Sequence, residues 1–314
     1  MKMNTLSKAS LLALGLSATF AVNAQTVRIG LLPAADSIVL YVAQEERLFK
    51  DEGLDVELIP FKSALEVRAA MAAGKIDGHF ADLMNVVMQN EQGMKQAVIL
   101  TTMHTSPKQR SFGFVVSPKD AKTITKLADL KNTPSAMSSA TIIDYLLDRM
   151  KETEKLPTRA IKNLEVKQIP IRLQMLQSGQ VATAMLPEPL VSVVEAKGGR
   201  VIWDDSMINE ALAVVALRDS HLDKKTVDGF RKAVAKAAAR IDKDPSHYRT
   251  EMVKKRLLPP AVAQSYKMVS FSVHQTADGL PPLPTKAEVE RVGQWMITKG
   301  MIKAVPAYEA IIVK

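Results

Sequence analysis

Apolar and polar positions between Val27 and Gly74 predict two strands and two helices. Val27–Leu32 is a short apolar run that fits a strand, and apolar residues recur at helical spacing after Asp36. Residues 56–60 alternate as a second strand would, and the spacing from Ser63 to a glutamate three residues later predicts the start of a second helix. Such strand–helix–strand units form parallel sheets that bind ligands at the carboxyl ends of their strands.

The rest of the chain repeats this plan. Further strands are predicted at Ile76–Ala81, Ala97–Thr102, Phe112–Ser117, Ser135–Met137, Leu164–Ile169, Val201–Trp203 and Ala211–Leu217, most of them separated by helices. We interpret the two series as two similar lobes, each a βαβαβ half. The alternative is that any doubly wound sheet produces such similarity between its segments. Mostly helical segments follow, and we expect them to cover the first lobe.

The expected fold class is α/β, with two Rossmann-like lobes joined by two crossover segments. Residues 1–24 have the lysines, apolar run and small residues of a cleaved secretory signal, and that run is too short to span a bilayer. The first lobe is assigned to 25–117 and 214–314, and the second to 118–213. The chain would cross between the lobes near Ser117–Pro118 and near Ala213–Arg218.

Composition excludes several classes of protein. The chain has no cysteine, which excludes disulfides, thiolate metal sites, a cysteine nucleophile and a lipid-modified cysteine. The formal net charge is +9, of which the signal lysines Lys2 and Lys8 contribute two, leaving +7. These charges are spread along the chain with acidic residues between them, whereas nucleic-acid binding favours clustered positive charge. We therefore expect no nucleic-acid partner.

Three segments carry a resemblance to a known family. They are RIGLLPAADSIVLYVAQEERLFKDEGLDVELIPF, GKIDGHFADL and MLPEPLVSVVEAKGGRVIWDD. Their sequence resembles the substrate-binding proteins of bacterial ABC importers in the nitrate, sulfonate, taurine and thiamine-pyrimidine group, which includes the SsuA-like and NMT1-like proteins. The resemblance implies a type II periplasmic binding protein that closes on a ligand between its lobes and delivers it to an ABC permease in the inner membrane. It implies no cofactor and a protein that is a monomer.

The resemblance leaves the ligand open, as a small organic or inorganic anion or a heteroaromatic compound. The alternative function is a periplasmic enzyme acting on a pyrimidine- or carboxylate-type substrate on the same scaffold. The related eukaryotic pyrimidine synthases carry a cysteine-rich motif that this chain lacks, and no serine elbow, zinc signature or phosphate loop is present. A sensing domain of a transcription regulator would need a DNA-binding segment where the export signal lies. We therefore expect a binding protein and not an enzyme.

Matching positions of the two lobes are expected to face each other across the cleft. The candidate ligand-binding residues of the first lobe are Ala35, Asp36, Ser37, Lys62, Ser63 and Asp82, and those of the second lobe are Ser138, Ser139, Thr141, Pro187 and Glu188. His79 and His104 lack the partners that a metal site needs, so no metal is expected.

Each candidate has a second interpretation. The helix start at Ser138–Thr141 favours an anion, although an ordinary N-cap explains the same residues. Glu188, fixed between two prolines, could accept hydrogen bonds from a ligand or form a salt bridge near the hinge. Asp36 and Asp82 add negative charge or cap helices, and Lys62 pairs with an anion or is simply solvated. An amphoteric or ring-containing ligand would satisfy both sets of charges.

Arg110 and Arg172 could each hold a carboxylate through two hydrogen bonds. Neither arginine falls at the carboxyl end of a predicted strand, so neither is placed in the site.

Overall fold

The computed structural model describes residues 26–157, 159–271 and 276–313. The expected signal peptide lies outside these residues. Ten strands are described: β1 (Thr26–Leu31), β2 (Asp55–Pro60), β3 (Gly78–Asp82), β4 (Gln96–His104), β5 (Phe112–Val116), β6 (Thr133–Met137), β7 (Ile161–Glu165), β8 (Thr183–Pro187), β9 (Arg200–Asp204) and β10 (Ala211–Arg218).

Eleven α-helices accompany these strands in the described residues. They are α1 (Ile38–Glu45), α2 (Leu48–Asp51), α3 (Ala64–Ala72), α4 (Leu83–Glu91), α5 (Ile142–Thr153), α6 (Ile169–Gln177), α7 (Leu190–Ala196), α8 (Lys224–Lys243), α9 (Pro245–Lys254), α10 (Lys286–Thr298) and α11 (Tyr308–Ile311). No helix among them is long and apolar enough to cross a membrane.

The strands form two five-stranded sheets with matching topology. The first has the order β2-β1-β3-β10-β4 and the second the order β7-β6-β8-β5-β9. In each sheet the first three strands are parallel, and the fourth is antiparallel to both of its neighbours. The predicted pair of similar α/β lobes is therefore confirmed, and the repeat extends to the order and direction of every strand.

The pairing of β5 corrects the predicted lobe boundary. Residues 112–117 were assigned to the first lobe, whereas β5 pairs with β8 and β9 in the second sheet. All residues of β5 are buried, so its apolar pattern identifies a strand without showing which sheet it joins. Residues 211–213 belong to β10 of the first sheet, and not to the second lobe. The chain therefore crosses between the sheets at 105–111 and 205–210.

The segments after β10 only partly match the predicted cover. Helix α8 packs on α1 and α2 of the first lobe, as expected. Helix α10 packs on α4, but its Trp295 also meets Tyr145 of α5 in the second lobe, with ring centroids 5.3 Å apart. The C-terminal part of the chain therefore contacts both lobes. After α9 the chain forms a short 3-10 turn at Pro260–Val262.

Candidate functional site

A cavity lies between the lobes where the carboxyl ends of several strands meet; we call it the cleft cavity. The first lobe contributes the residues after β1 and the end of β3, and the second contributes the end of β8 and the starts of α5 and α6. A water-sized sphere can be centred within about 60 Å³ of this cavity, and the atom-free space that includes its mouth is about 570 Å³.

Most of the cavity wall is apolar. Its larger apolar residues are Leu32, Phe80, Phe112, Ile142, Ile143 and Ile169. Phe80 lies near the end of the parallel strand β3, and Phe112 begins β5 opposite Pro187 of β8. The strand pairing of both sheets thus brings carbon-rich side chains to the same cavity, which favours a ligand with an apolar part.

Asp36 brings a buried carboxyl group to the first-lobe side. It lies in the 3-10 turn Ala35–Ser37 after β1, and it is 5% exposed. Burial raises the pKa of Asp36 to about 6, and a hydrogen bond donated by the Thr102 hydroxyl opposes that rise. Asp36 therefore keeps its proton up to a higher pH than an exposed aspartate does.

Asp82 joins the two lobes. Its Oδ1 accepts hydrogen bonds from the backbone N–H (2.8 Å) and the side-chain amide (2.7 Å) of Asn85, so Asp82 is the N-cap of α4. Its Oδ2 accepts the backbone N–H of Ile142, at the start of α5 in the other lobe, at 3.2 Å. Burial raises the pKa of Asp82, and these hydrogen bonds oppose the rise.

The expected anion site at the start of α5 is already used by the protein. The Ile143 N–H donates to the Thr141 hydroxyl at 3.2 Å, and the Thr141 hydroxyl donates to the Ser138 carbonyl at 2.7 Å. The Ser139 N–H and hydroxyl both donate to Glu165, at 3.0 and 2.7 Å. Together with the Asp82 bond, these contacts leave the start of this helix with little capacity for a ligand anion.

Arg172 is a charged cavity residue that the sequence analysis did not place in the site, and Lys167 is another. Arg172 lies in the first turn of α6, lines the cleft cavity and is 1% exposed. Nη1 donates to the Val166 carbonyl at 3.2 Å, and Nε is buried without a hydrogen-bond partner. Burial lowers the pKa of Arg172 to about 10, a shift that the charge of Glu165 opposes.

The repeat contained a signal for this arginine. The loop after β2, with Lys62 and Ser63, was included in the site, but its counterpart after β7 was not. That counterpart leads into α6 and to Arg172.

Glu188 points away from the cleft cavity. Its carboxylate accepts a hydrogen bond from Arg110 Nε at 2.7 Å and bonds from the Ser192 hydroxyl at 2.9 and 3.1 Å. The Glu188 backbone carbonyl accepts the Ala35 N–H at 2.8 Å, and the Glu188 N–H donates to the Ser111 carbonyl at 2.8 Å. This geometry matches the salt-bridge interpretation near the crossing segments.

The candidates from the sequence divide into three groups. Asp36, Asp82, Ser138, Thr141 and Pro187 line the cleft cavity, and Ala35 and Glu188 line a smaller cavity beside it. Ser37, Lys62, Ser63 and Ser139 line neither. Lys62 and Ser139 are exposed, Ser37 bonds the Ala34 carbonyl at 2.8 Å, and Ser63 caps α3 by accepting the Glu66 N–H at 3.2 Å.

The lobes also meet at the mouth of the cavity. The Ile169 N–H, at the start of α6, donates to the Lys62 carbonyl at 3.0 Å, and the Gln168 amide donates to Glu66 at 3.0 Å. With the bonds from Ile142 to Asp82 and from Ala35 to Glu188, these contacts hold the lobes together on several sides of the cavity. Within the described ranges, no group of three or more histidine and acidic residues could hold a metal ion.

Comparisons with known proteins agree with this architecture. The structure is similar to a ligand-binding component of an ABC-type import system from Staphylococcus aureus, with a TM-score of 0.73 and 16% identity over 92% of this chain and 96% of that one. It is similar to the alkanesulfonate-binding protein SsuA of Xanthomonas axonopodis pv. citri, bound to MOPS, with a TM-score of 0.70 and 18% identity over 92% and 96% of the two chains.

A third neighbour is the nitrate-binding protein NrtA of Synechocystis PCC 6803, with a TM-score of 0.67 and 14% identity over 90% of this chain and 83% of that one. No curated protein matches the sequence significantly. A family model matches residues 21–255, more than half of the chain. The chain belongs to the NMT1-like family.

Proposed function

We propose that this protein is the solute-binding component of an ABC importer. It captures a small ligand in the cleft cavity and delivers it to a permease in the inner membrane. The observation that carries the proposal is the cavity itself, because both lobes contribute its walls and two crossing segments connect the sheets. A ligand that contacts both lobes binds the closed arrangement more tightly than an open one. The difference between the two binding free energies is the amount by which the ligand stabilises the closed arrangement.

Family membership and fold support this role. The three structural neighbours described above are a ligand-binding component of an import system, an alkanesulfonate-binding protein and a nitrate-binding protein. Their function as binding proteins favours transport over the periplasmic enzyme considered from the sequence. We expect the protein to act in the periplasm as a monomer, after cleavage of the segment 1–24.

A ligand screen tests the proposal. The protein without residues 1–24 is mixed with sulfonates, nitrate, aromatic carboxylates, amino acids and aminopyrimidines, and its thermal unfolding is followed. A ligand at one hundred times its dissociation constant adds about 2.7 kcal/mol to the free energy of unfolding. For a protein of this size we expect the midpoint to rise by about 5 °C or more.

The transport step needs a cellular test. Deleting the gene should abolish uptake of the radiolabelled ligand identified in the screen, and the intact gene should restore it. A stabilising ligand whose uptake does not depend on the gene would contradict the role in import. A folded protein that no compound in the screen stabilises would contradict capture of these solute classes.

A further inference from the structure

The charge of Arg172 is buried in the cleft without an ionic partner. Its side chain is 1% exposed, and the one hydrogen bond it makes with the described residues goes to the Val166 carbonyl. Its Nε has no partner. Burying a guanidinium group without a counter-charge is strongly unfavourable, and folded proteins generally pair such groups.

Within the part of the chain that the structure describes, no acidic side chain forms an ion pair with Arg172. Glu165 is the acidic residue whose charge acts on Arg172, but its carboxylate is exposed and bonded to Ser139. The acidic residues that line the cavity are engaged elsewhere: Asp36 with Thr102, and Asp82 with Asn85 and Ile142. Both carboxyl groups are buried, and burial raises the pKa of each.

The surroundings of Arg172 suit an organic anion. Arg172 lies in the first turn of α6, where the helix dipole favours negative charge. The cavity wall around it is formed largely by leucine, isoleucine and phenylalanine side chains. An inorganic anion would leave this apolar wall without a partner, whereas a carbon skeleton would cover it.

The geometry favours a carboxylate over a sulfonate. A guanidinium edge offers two parallel N–H donors, which match the two oxygens of a planar carboxylate. A sulfonate has a third oxygen, and the backbone amides that could serve it at the start of α5 already bond Asp82 and Thr141.

We propose that the cleft cavity binds a small organic carboxylate, with its two oxygens on Arg172 and its carbon skeleton against the apolar wall. This inference rests on the proposed function, because it takes the cleft cavity to be the solute site. It makes Arg172 the residue that selects the class of ligand.

Calorimetric titration with matched compounds tests the inference. The probes are benzoate, benzamide and benzenesulfonate, and hexanoate with its amide, each titrated into the protein without residues 1–24. At least one carboxylate should bind, and its amide should bind at least about 10-fold more weakly because the amide lacks the charge. The sulfonate should bind more weakly than the matched carboxylate.

Substitutions at Arg172 locate the effect. Arg172→Gln should weaken carboxylate binding by about 10- to 100-fold, and Arg172→Lys should give a smaller loss because it keeps the charge without the planar fork. Arg200→Gln is the matched control, since Arg200 also lies in the second lobe and donates from Nε to a backbone carbonyl, that of Ala121, at 3.1 Å. The carboxylate affinity of the Arg200→Gln protein should stay within about twofold of that of the unsubstituted protein. Circular dichroism checks that each variant is folded.

Three results would overturn the inference. The first is an unchanged carboxylate affinity in a folded Arg172→Gln protein. The second is a neutral amide or a sulfonate that binds more tightly than its matched carboxylate, and the third is that no carboxylate binds. If Arg172→Gln does not fold, the carboxylate and amide affinities of the unsubstituted protein decide the question. A protein that binds an aminopyrimidine and no carboxylate would refute this inference and leave the proposed function standing. A protein stabilised by no solute of any class would contradict both.

Discussion

Replacing Asp36 with asparagine should stabilise the protein at about pH 8 and change its stability little at about pH 4. The Asp36 carboxyl group is 5% exposed and accepts a hydrogen bond from Thr102. An asparagine side chain has nearly the same shape and can accept that bond through its amide oxygen. The substitution therefore removes the ionisation of this group with little change in packing.

The size of the effect follows from the pKa of Asp36. Burial raises this pKa from 3.8 to about 6, and each pKa unit corresponds to about 1.36 kcal/mol. The ionised carboxylate therefore costs the folded state about 3 kcal/mol above pH 6. Between about pH 4 and 6 the folded state binds more protons at this site than the unfolded state, so its contribution to stability falls as the pH rises.

Urea unfolding followed by circular dichroism measures the difference between the two proteins at each pH. Other buried acids, such as Asp205, are present in both proteins and cancel in the comparison. Asp228→Asn is the control, because this side chain is 42% exposed and pairs with Lys224 on the surface. The control should unfold at nearly the same urea concentration as the unsubstituted protein at both pH values. An Asp36→Asn protein with the same advantage at both pH values, or with none at about pH 8, would refute the reasoning.

Two further substitutions test the packing between and within the lobes. Glu188→Ala removes the hydrogen bonds that the Glu188 carboxylate accepts from Arg110 and Ser192, so urea unfolding should show a loss of stability of about 2–3 kcal/mol. Calorimetry should show little change in ligand affinity. A large loss of affinity with normal stability would instead place Glu188 in the ligand site. Gly78→Ala places a methyl group 2.5 Å from the Ala216 carbonyl oxygen of the neighbouring strand. We therefore expect the protein to lose about 3 kcal/mol or more of stability, or to fail to fold. A normal unfolding midpoint would show that the two strands can move apart.

The spacing of apolar residues predicted the two lobes, because buried side chains recur at one spacing along a strand and at another along a helix. The repeat of strand and helix units was enough to predict two α/β lobes, and the structure extends the match to the order and direction of the strands. The lobe boundary was wrong because β5 is buried along its whole length, and sheet membership is decided by pairing with β8 and β9. The proline after β5 ends the strand and not the lobe.

The carboxyl ends of the strands account for only part of the candidate site. The rule that ligands meet these strand ends led to Asp36, Asp82 and Pro187, and all three line the cleft cavity. The rule gives no information about contacts between lobes, and for this reason it could not show that Asp82 accepts a hydrogen bond from the first backbone N–H of α5. It also passed over Arg172, which lies within a helix and reaches the cavity through its long side chain.

Hydrogen–deuterium exchange tests most directly the claim that a solute binds between the lobes. Exchange is compared with and without the compound that stabilises the protein most in the ligand screen, and the peptides are resolved by mass spectrometry. We predict that the ligand slows exchange in both lobes together, in the segment 33–37 and at the starts of α5 and α6. Slower exchange confined to one lobe, or to the surface around Lys108 and Lys267 near the crossing segments, would contradict binding in the cleft cavity.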